Sequence, residues 1–184
     1  MSNFLRFLGL RFFSVAFLLL LSSTVRGAEL PPEFGWMREL AGSTWVGKFP
    51  DGKTVHSQSY EIQFGRFLRG AASLSGDHQG KQVAQFHGDS VFAWDAKSSK
   101  IVYYLWGSDG NHGREEAWFE GDRIIFPAYS KKEPGKLRYR SVWQRIDRDS
   151  FRVDREVPMG DSWKVELSVT YRRSSNSKPA AAHE

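Results

Sequence analysis

The side chains able to do chemistry in this chain are few and scattered. Five histidines, His56, His78, His87, His112 and His183, form no H-x-H or H-E-x-x-H spacing, and the chain has no cysteine. Thiolate metal sites and thiol catalysis are therefore excluded, and a histidine metal site would need residues brought together from distant strands. There is no G-x-S-x-G nucleophile elbow and no glycine-rich loop opening a helix to cradle a phosphate. Glu115 and Glu116 are neighbours on a strand-like run, so they point to opposite faces and cannot form a close acid/base pair. No catalytic residue, metal ligand or cofactor is expected from these patterns.

Two strand faces mix polar groups with aromatics. His56, Gln58, Tyr60, Ile62 and Phe64 recur at every second position, and so do Leu137, Tyr139, Ser141, Trp143 and Arg145. If both faces point inward, His56, Gln58, Tyr60, Tyr139, Trp143 and Arg145 line a pocket, joined by Tyr103 from a third run. Aromatics would cover an apolar ligand and the few polar groups would orient it. The bland alternative makes His56 a rim residue and the aromatics simple core. A buried Arg145 needs a partner, which is a ligand carboxylate or phosphate, or else Glu116 or Asp154.

The elements that would position these residues are β-strands. Strand-like runs cover 43–49, 55–64, 67–74, 82–87, 90–94, 101–106, 114–119, 123–127, 137–146, 151–157 and 163–172. Turn chemistry separates most of them: Asp51-Gly52, Asp109-Gly110-Asn111, Glu120-Gly121-Asp122, Glu133-Pro134-Gly135 and Gly160-Asp161. The run from Trp163 to Arg172 alternates most cleanly, with Trp163, Val165, Leu167, Val169 and Tyr171 on one face as core. Run 101–106 is apolar on both faces, so its outer face needs cover, from an N-terminal helix or a second copy in a homodimer. A short helix is expected over Glu33–Leu40, with Phe34, Met37 and Leu40 on one side. About ten antiparallel strands in hairpin succession favour an all-β, up-and-down closed barrel, with a two-sheet sandwich as the alternative.

Residues 1–27 read as a cleavable export signal. Arg6 and Arg11 precede the apolar core Val15–Leu21, and Val25 and Gly27 provide small residues before a cut. The alternative is an uncleaved anchor. Residues 28–173 are then the barrel domain, and 174–184 a disordered tail. The mature chain is expected in the periplasm or outside the cell. No later segment approaches the ~20 apolar residues of a membrane helix, so no stable span is expected after cleavage. Losing Arg6, Arg11 and Arg26 and no acid lowers the formal net charge from +5 to +2, which gives nucleic-acid binding little support.

The stretch Leu40-Ala41-Gly42-Ser43-Thr44-Trp45-Val46-Gly47, a short helix followed by Gly-x-x-Trp-x-Gly, resembles the opening of lipocalin-like (calycin) barrels. Trp94-Asp95 to Tyr104, Asp109-Gly110, Trp118 to Asp122, and Asp147 to Phe151 followed by Trp163 resemble a group of bacterial exported domains of unknown function on that scaffold. The resemblance covers about residues 38–173. It implies that Trp45 plugs the barrel floor and that Arg172 or Arg173 from the last strand packs across it, with Arg172 the first choice. Nitrobindin-type members would imply haem on a histidine near the C-terminal end, where this chain offers only His183. The expected function is binding of a small apolar or amphipathic molecule without catalysis. The alternatives are an isomerase or hydrolase on the same barrel, or an envelope protein with a filled interior.

Overall fold

The computed structural model describes residues 29–174, apart from residues 80 and 131. The export signal, the tail beyond residue 174 and His183 lie outside the described residues.

Ten strands follow a 3-10 helix at Pro32–Leu40: β1 Ser43–Lys48, β2 Val55–Gln63, β3 Phe67–His78, β4 Lys81–Asp95, β5 Lys100–Gly107, β6 His112–Glu120, β7 Arg123–Tyr129, β8 Leu137–Arg145, β9 Ser150–Met159 and β10 Ser162–Arg173. Each pairs antiparallel with its neighbour in sequence, and β10 returns to β1, so the sheet closes into a barrel without edges. Period-two alternation and tight turns account for this topology. Gly121 and Gly160 begin two-residue turns at φ +61° and +60°, a backbone region that glycine enters without steric cost. The closing seam is short, pairing Trp45 with Arg173, Val46 with Arg172 and Gly47 with Tyr171.

Two elements differ from the sequence reading, and one is made more specific. The expected N-terminal helix, whose type the sequence reading left unassigned, is 3-10. Phe34, Met37 and Leu40 recur every third residue and are all buried, which is the 3-10 period. Gly35 breaks the helix at φ +51°, and a Cβ there would meet the Phe119 ring at 2.9 Å, so only glycine fits. Runs 82–87 and 90–94 are one strand, β4. Its Gly88 pairs with Gly107 of β5, and the Phe86 ring lies against both glycines, covering backbone that lacks side chains. Lastly, β10 carries an irregularity between Val165 and Leu167 where it pairs with β9. A bulge of one residue exchanges the faces. Leu167, Val169 and Tyr171 point inward as expected, whereas Trp163 and Val165 are turned outside. Trp163 there lies beneath the Arg140 guanidinium at 3.9 Å, and Arg140 is bonded to Glu156 at 2.6 Å.

The expected cover over β5 is not the helix, which packs against β1 and β2. Of the outer face of β5, Val102 is buried, while Tyr104 and Trp106 stack on each other and stay exposed.

Candidate functional site

One side of the interior is built by β2. Period-two alternation on this strand aims His56, Gln58 and Tyr60 inward, opposite Gly47, Trp45 and Ser43 of β1. Tyr60 donates its hydroxyl proton to Gln58 Oε1. His56 Nδ1 lies 2.6 Å from the Tyr171 hydroxyl and 3.2 Å from Gln58 Nε2. With both neighbours as donors, Nδ1 is the acceptor and the ring proton sits on Nε2. Burial lowers the His56 pKa, favouring this neutral form. Burial also raises the Tyr60 and Tyr171 hydroxyls, so both remain protonated donors.

An aromatic belt carries the interior round from β2 to β10. Centroid separations are 6.4 Å for Tyr60–Phe92, 5.4 Å for Phe92–Tyr103, 5.3 Å for Tyr103–Phe126, 4.8 Å for Phe126–Trp143, 5.5 Å for Trp143–Phe151 and 4.9 Å for Phe151–Tyr171. The hydrogen bonds of His56, Gln58 and Tyr60 close the circuit. Such pairs contribute roughly 0.5–1.5 kcal/mol each beyond simple burial. Trp143 and Tyr60 are therefore part of the packed belt.

Above the belt the interior is wetter. Tyr103 donates to Glu115 Oε2 at 2.6 Å. Glu115 is thus the inward member of its pair, while Glu116 faces out to Lys100 at 2.8 Å and Arg114 at 3.3 Å. Burial first and Glu115 second push the Tyr103 hydroxyl well above its usual pKa. Tyr139 lies close enough to raise it further. Arg155 of β9 is also inward, sharing a face with Val153 and pairing with Ser141 and Leu167. Its guanidinium lies 4.3 Å from the Tyr139 ring centroid, and its side chain is 42% exposed. Water therefore reaches the rim of the barrel wall at this end, opposite the 3-10 helix. Gly113, inward by alternation with Glu115, is consistent with this, since a Cβ built on it would meet nothing within 4 Å.

The opposite end is capped by the 3-10 helix. Trp45 is 2% exposed and donates its indole N–H to the Leu40 carbonyl at 3.1 Å. The arginine across it is Arg173, with its guanidinium 4.5 Å from the ring. Arg172, the first choice, is exposed and pairs with Val46. The parity of β10 aims residue 173 inward with Tyr171, so residue 172 must face out. Arg173 also bonds Ser43 Oγ, the carbonyls of Glu39 and Arg148, and Asp149 at 2.8 Å.

Arg145 is on the face expected of it but lies at this capped end, where it pairs with Glu39 at 2.7 Å. Neither Glu116 nor Asp154 is its partner; Asp154 accepts from Ser168 and pairs with Arg152. The crevice beside Arg145, lined by Trp36, Glu39, Ser150 and Phe151, measures about 10 Å³, room for at most one water. Phe64 is also off the inward face: it sits in the β2–β3 turn and is exposed. The structure thus brings His56, Gln58 and Tyr60 together, places Tyr103 and Tyr139 on the far wall, and separates Arg145 from both.

Sequence reasoning placed Tyr171 in the core without a polar role, overlooked Arg155, and left open which of Glu115 and Glu116 is inward. The signals were present in alternation, since 151, 153 and 155 share one face and 167, 169 and 171 another. Arg155 was overlooked because the bulge that uncovers it leaves no simple mark in the residue pattern.

No family model matches this chain, and no curated protein does. Among solved structures it is similar to the crystal structure of Rv2717c from M. tuberculosis, at 14% identity over 79% of this chain and 99% of that one, with a TM-score of 0.49. The barrel is established by the strand pairing itself, and a likeness at this level says nothing about the site.

Proposed function

We propose that this chain is an exported, calycin-type barrel that binds a small apolar or amphipathic molecule without chemistry, in the periplasm or outside the cell. The observation that supports the reading is the solvent-reached, inward polar wall of Tyr139 and Arg155 above a continuous aromatic belt. Aromatic cover with a few polar groups at its edge is the usual make-up of a small-molecule pocket. Burial against aromatics would supply affinity, and His56, Gln58, Tyr103 and Tyr139 would set orientation. An enzyme on this scaffold would be favoured by an interior histidine bonded to a carboxylate. The bonds of His56 go instead to Tyr171 and Gln58, and Glu115 is engaged by Tyr103.

The test is native mass spectrometry of the protein purified from expressing cells, before and after denaturing extraction. A co-purifying small molecule, lost when Gly113→Phe fills the open end, supports the reading. A clean mass, with no ligand taken up from a panel of amphipathic compounds, overturns it.

A further inference from the structure

Tyr104 and Trp106 stand on the outer face of β5, 43% and 51% exposed. Their ring centroids are 6.5 Å apart and the rings are nearly parallel, at 20°. Val91 of β4 lies beside Tyr104 and Ala93 beside Val102, so the apolar surface spreads over two strands. An exposed apolar patch with a polar rim is the kind of surface that a partner covers. The 3-10 helix packs elsewhere, on β1 and β2.

The rim identifies the partner. The pairing register sets Asp89 on the β4 side of Trp106 and His112 on the β6 side, and it sets Val91 and Arg114 on the two sides of Tyr104. On the flank beyond β4 one arginine serves two acids, since Arg69 lies 3.1 Å from Glu61 and 3.5 Å from Asp89. On the flank towards β6 one acid serves two cations, since Glu116 lies 2.8 Å from Lys100 and 3.3 Å from Arg114. The first cluster has an acid in surplus and the second a cation, with the aromatic pair between them. These ion pairs are exposed, so each is weak and can exchange partners at little cost.

We infer that this face docks a second copy of the chain, in a two-fold dimer whose axis runs along β5. A two-fold axis brings the same patch of both copies together. Along β5 it lays Tyr104 and Trp106 on their counterparts and turns the β4 side of each copy over the β6 side of the other. Asp89 then faces the positive flank around Arg114 of the partner subunit, and the contact is made twice. An axis across the strands would instead set Asp89 against Asp89 and Arg114 against Arg114, which repels. Charge therefore selects the first arrangement. The wall of a closed barrel is convex, so a contact centred on one strand is small, below about 1,200 Å², and the dimer dissociates at roughly micromolar concentration. The inference concerns the outside of the barrel and is independent of what the interior binds.

Sedimentation velocity of the protein purified from expressing cells, followed across the micromolar range, tests the inference. The wild type is expected to pass from monomer to dimer as concentration rises, and less readily as salt is added. Trp106→Ser is expected to weaken association about tenfold or more, as truncating an interface tryptophan does. Asp89→Arg and Arg114→Asp, each alone, put like charges across the axis at both contacts and are expected to weaken it by about as much. An equimolar mixture of these two variants restores attraction at both contacts and is expected to dimerise about as well as the wild type. That recovery can come only from folded variants. A wild type that stays monomeric, a dimer indifferent to Trp106→Ser, or a mixture that associates no better than its components overturns the inference.

Discussion

The two ends of the barrel use similar residues in opposite ways. At the capped end, Arg173 lies on Trp45 and its donors are taken up by Ser43, Asp149 and two carbonyls. At the open end, Arg155 lies on Tyr139 and its Nε is 3.3 Å from Glu166 in an ion pair, with no hydrogen bond to a described residue. Both are arginines stacked on an inward aromatic, one beside a short seam and the other below a bulge. The difference shows that a cation–aromatic pair has no single meaning. Where the surroundings saturate the fork it fastens the fold, and where one ion pair and solvent are its partners it contributes little to stability.

The contrast can be broken by mutation. The largest effect is expected at Trp45→Ala, which empties the floor and removes the platform beneath Arg173; urea unfolding should show a loss of about 3–5 kcal/mol. If the loss is under 1 kcal/mol, the floor is not the anchor described. Next comes Arg173→Met, expected to cost about 2 kcal/mol because it removes charged bonds across the seam. Arg155→Met should change stability by less than about 0.5 kcal/mol, as expected of a residue with little native bonding. Equal costs at the two arginines would erase the distinction between the ends.

A glycine pair sharpens the same comparison. Gly47→Ala puts a methyl group 2.7 Å from Val169 Cγ1 and 2.9 Å from the Tyr171 ring, and overpacking of this kind is expected to cost about 1–2 kcal/mol. Gly113→Ala meets open space and should be near neutral by the same denaturation assay. The smallest effect is in pH dependence. Burial depresses the His56 pKa in the folded state, so above the unfolded value of about 6.5 both states are neutral there and His56 contributes no slope. As pH falls through 6.5 the unfolded chain takes up the proton first, and stability is lost. The fall between pH 7.5 and 5.5 should therefore be smaller in His56→Gln than in the wild type. Identical falls would mean that His56 is as well solvated folded as unfolded.

Much of the barrel was legible because its causes are local. The alternation of β2 and β8 sorted their residues into two faces without saying which is inward, and Gly121-Asp122 and Gly160-Asp161 marked hairpins through their backbone preferences. The 3-10 character of the helix was also present in the three-residue spacing of Phe34, Met37 and Leu40, although it was read without assigning the helix type. The site was less legible. Face assignment put Arg145 with Tyr139 and Trp143 correctly, but a face says nothing about height in the barrel, and β8 runs from the open end to the capped one. The choice of Arg172 over Arg173 was an error of one residue, and on a strand that is the whole difference between inside and outside.

By itself, then, the sequence determined the strand succession, most of the turns and the grouping of residues by face on β2 and β8, because each follows from side-chain period or a short-range backbone preference, whereas the Trp45 floor was implied only by the resemblance. Only the tertiary structure decided which strands met to close the sheet. It also decided that a bulge in β10 turns Trp163 outward, that Glu39 takes the charge of Arg145 and that Glu166 pairs with Arg155. Those outcomes depend on pairing register between strands and on which residues distant in sequence come within bonding reach. Neither is encoded in the residues flanking the site.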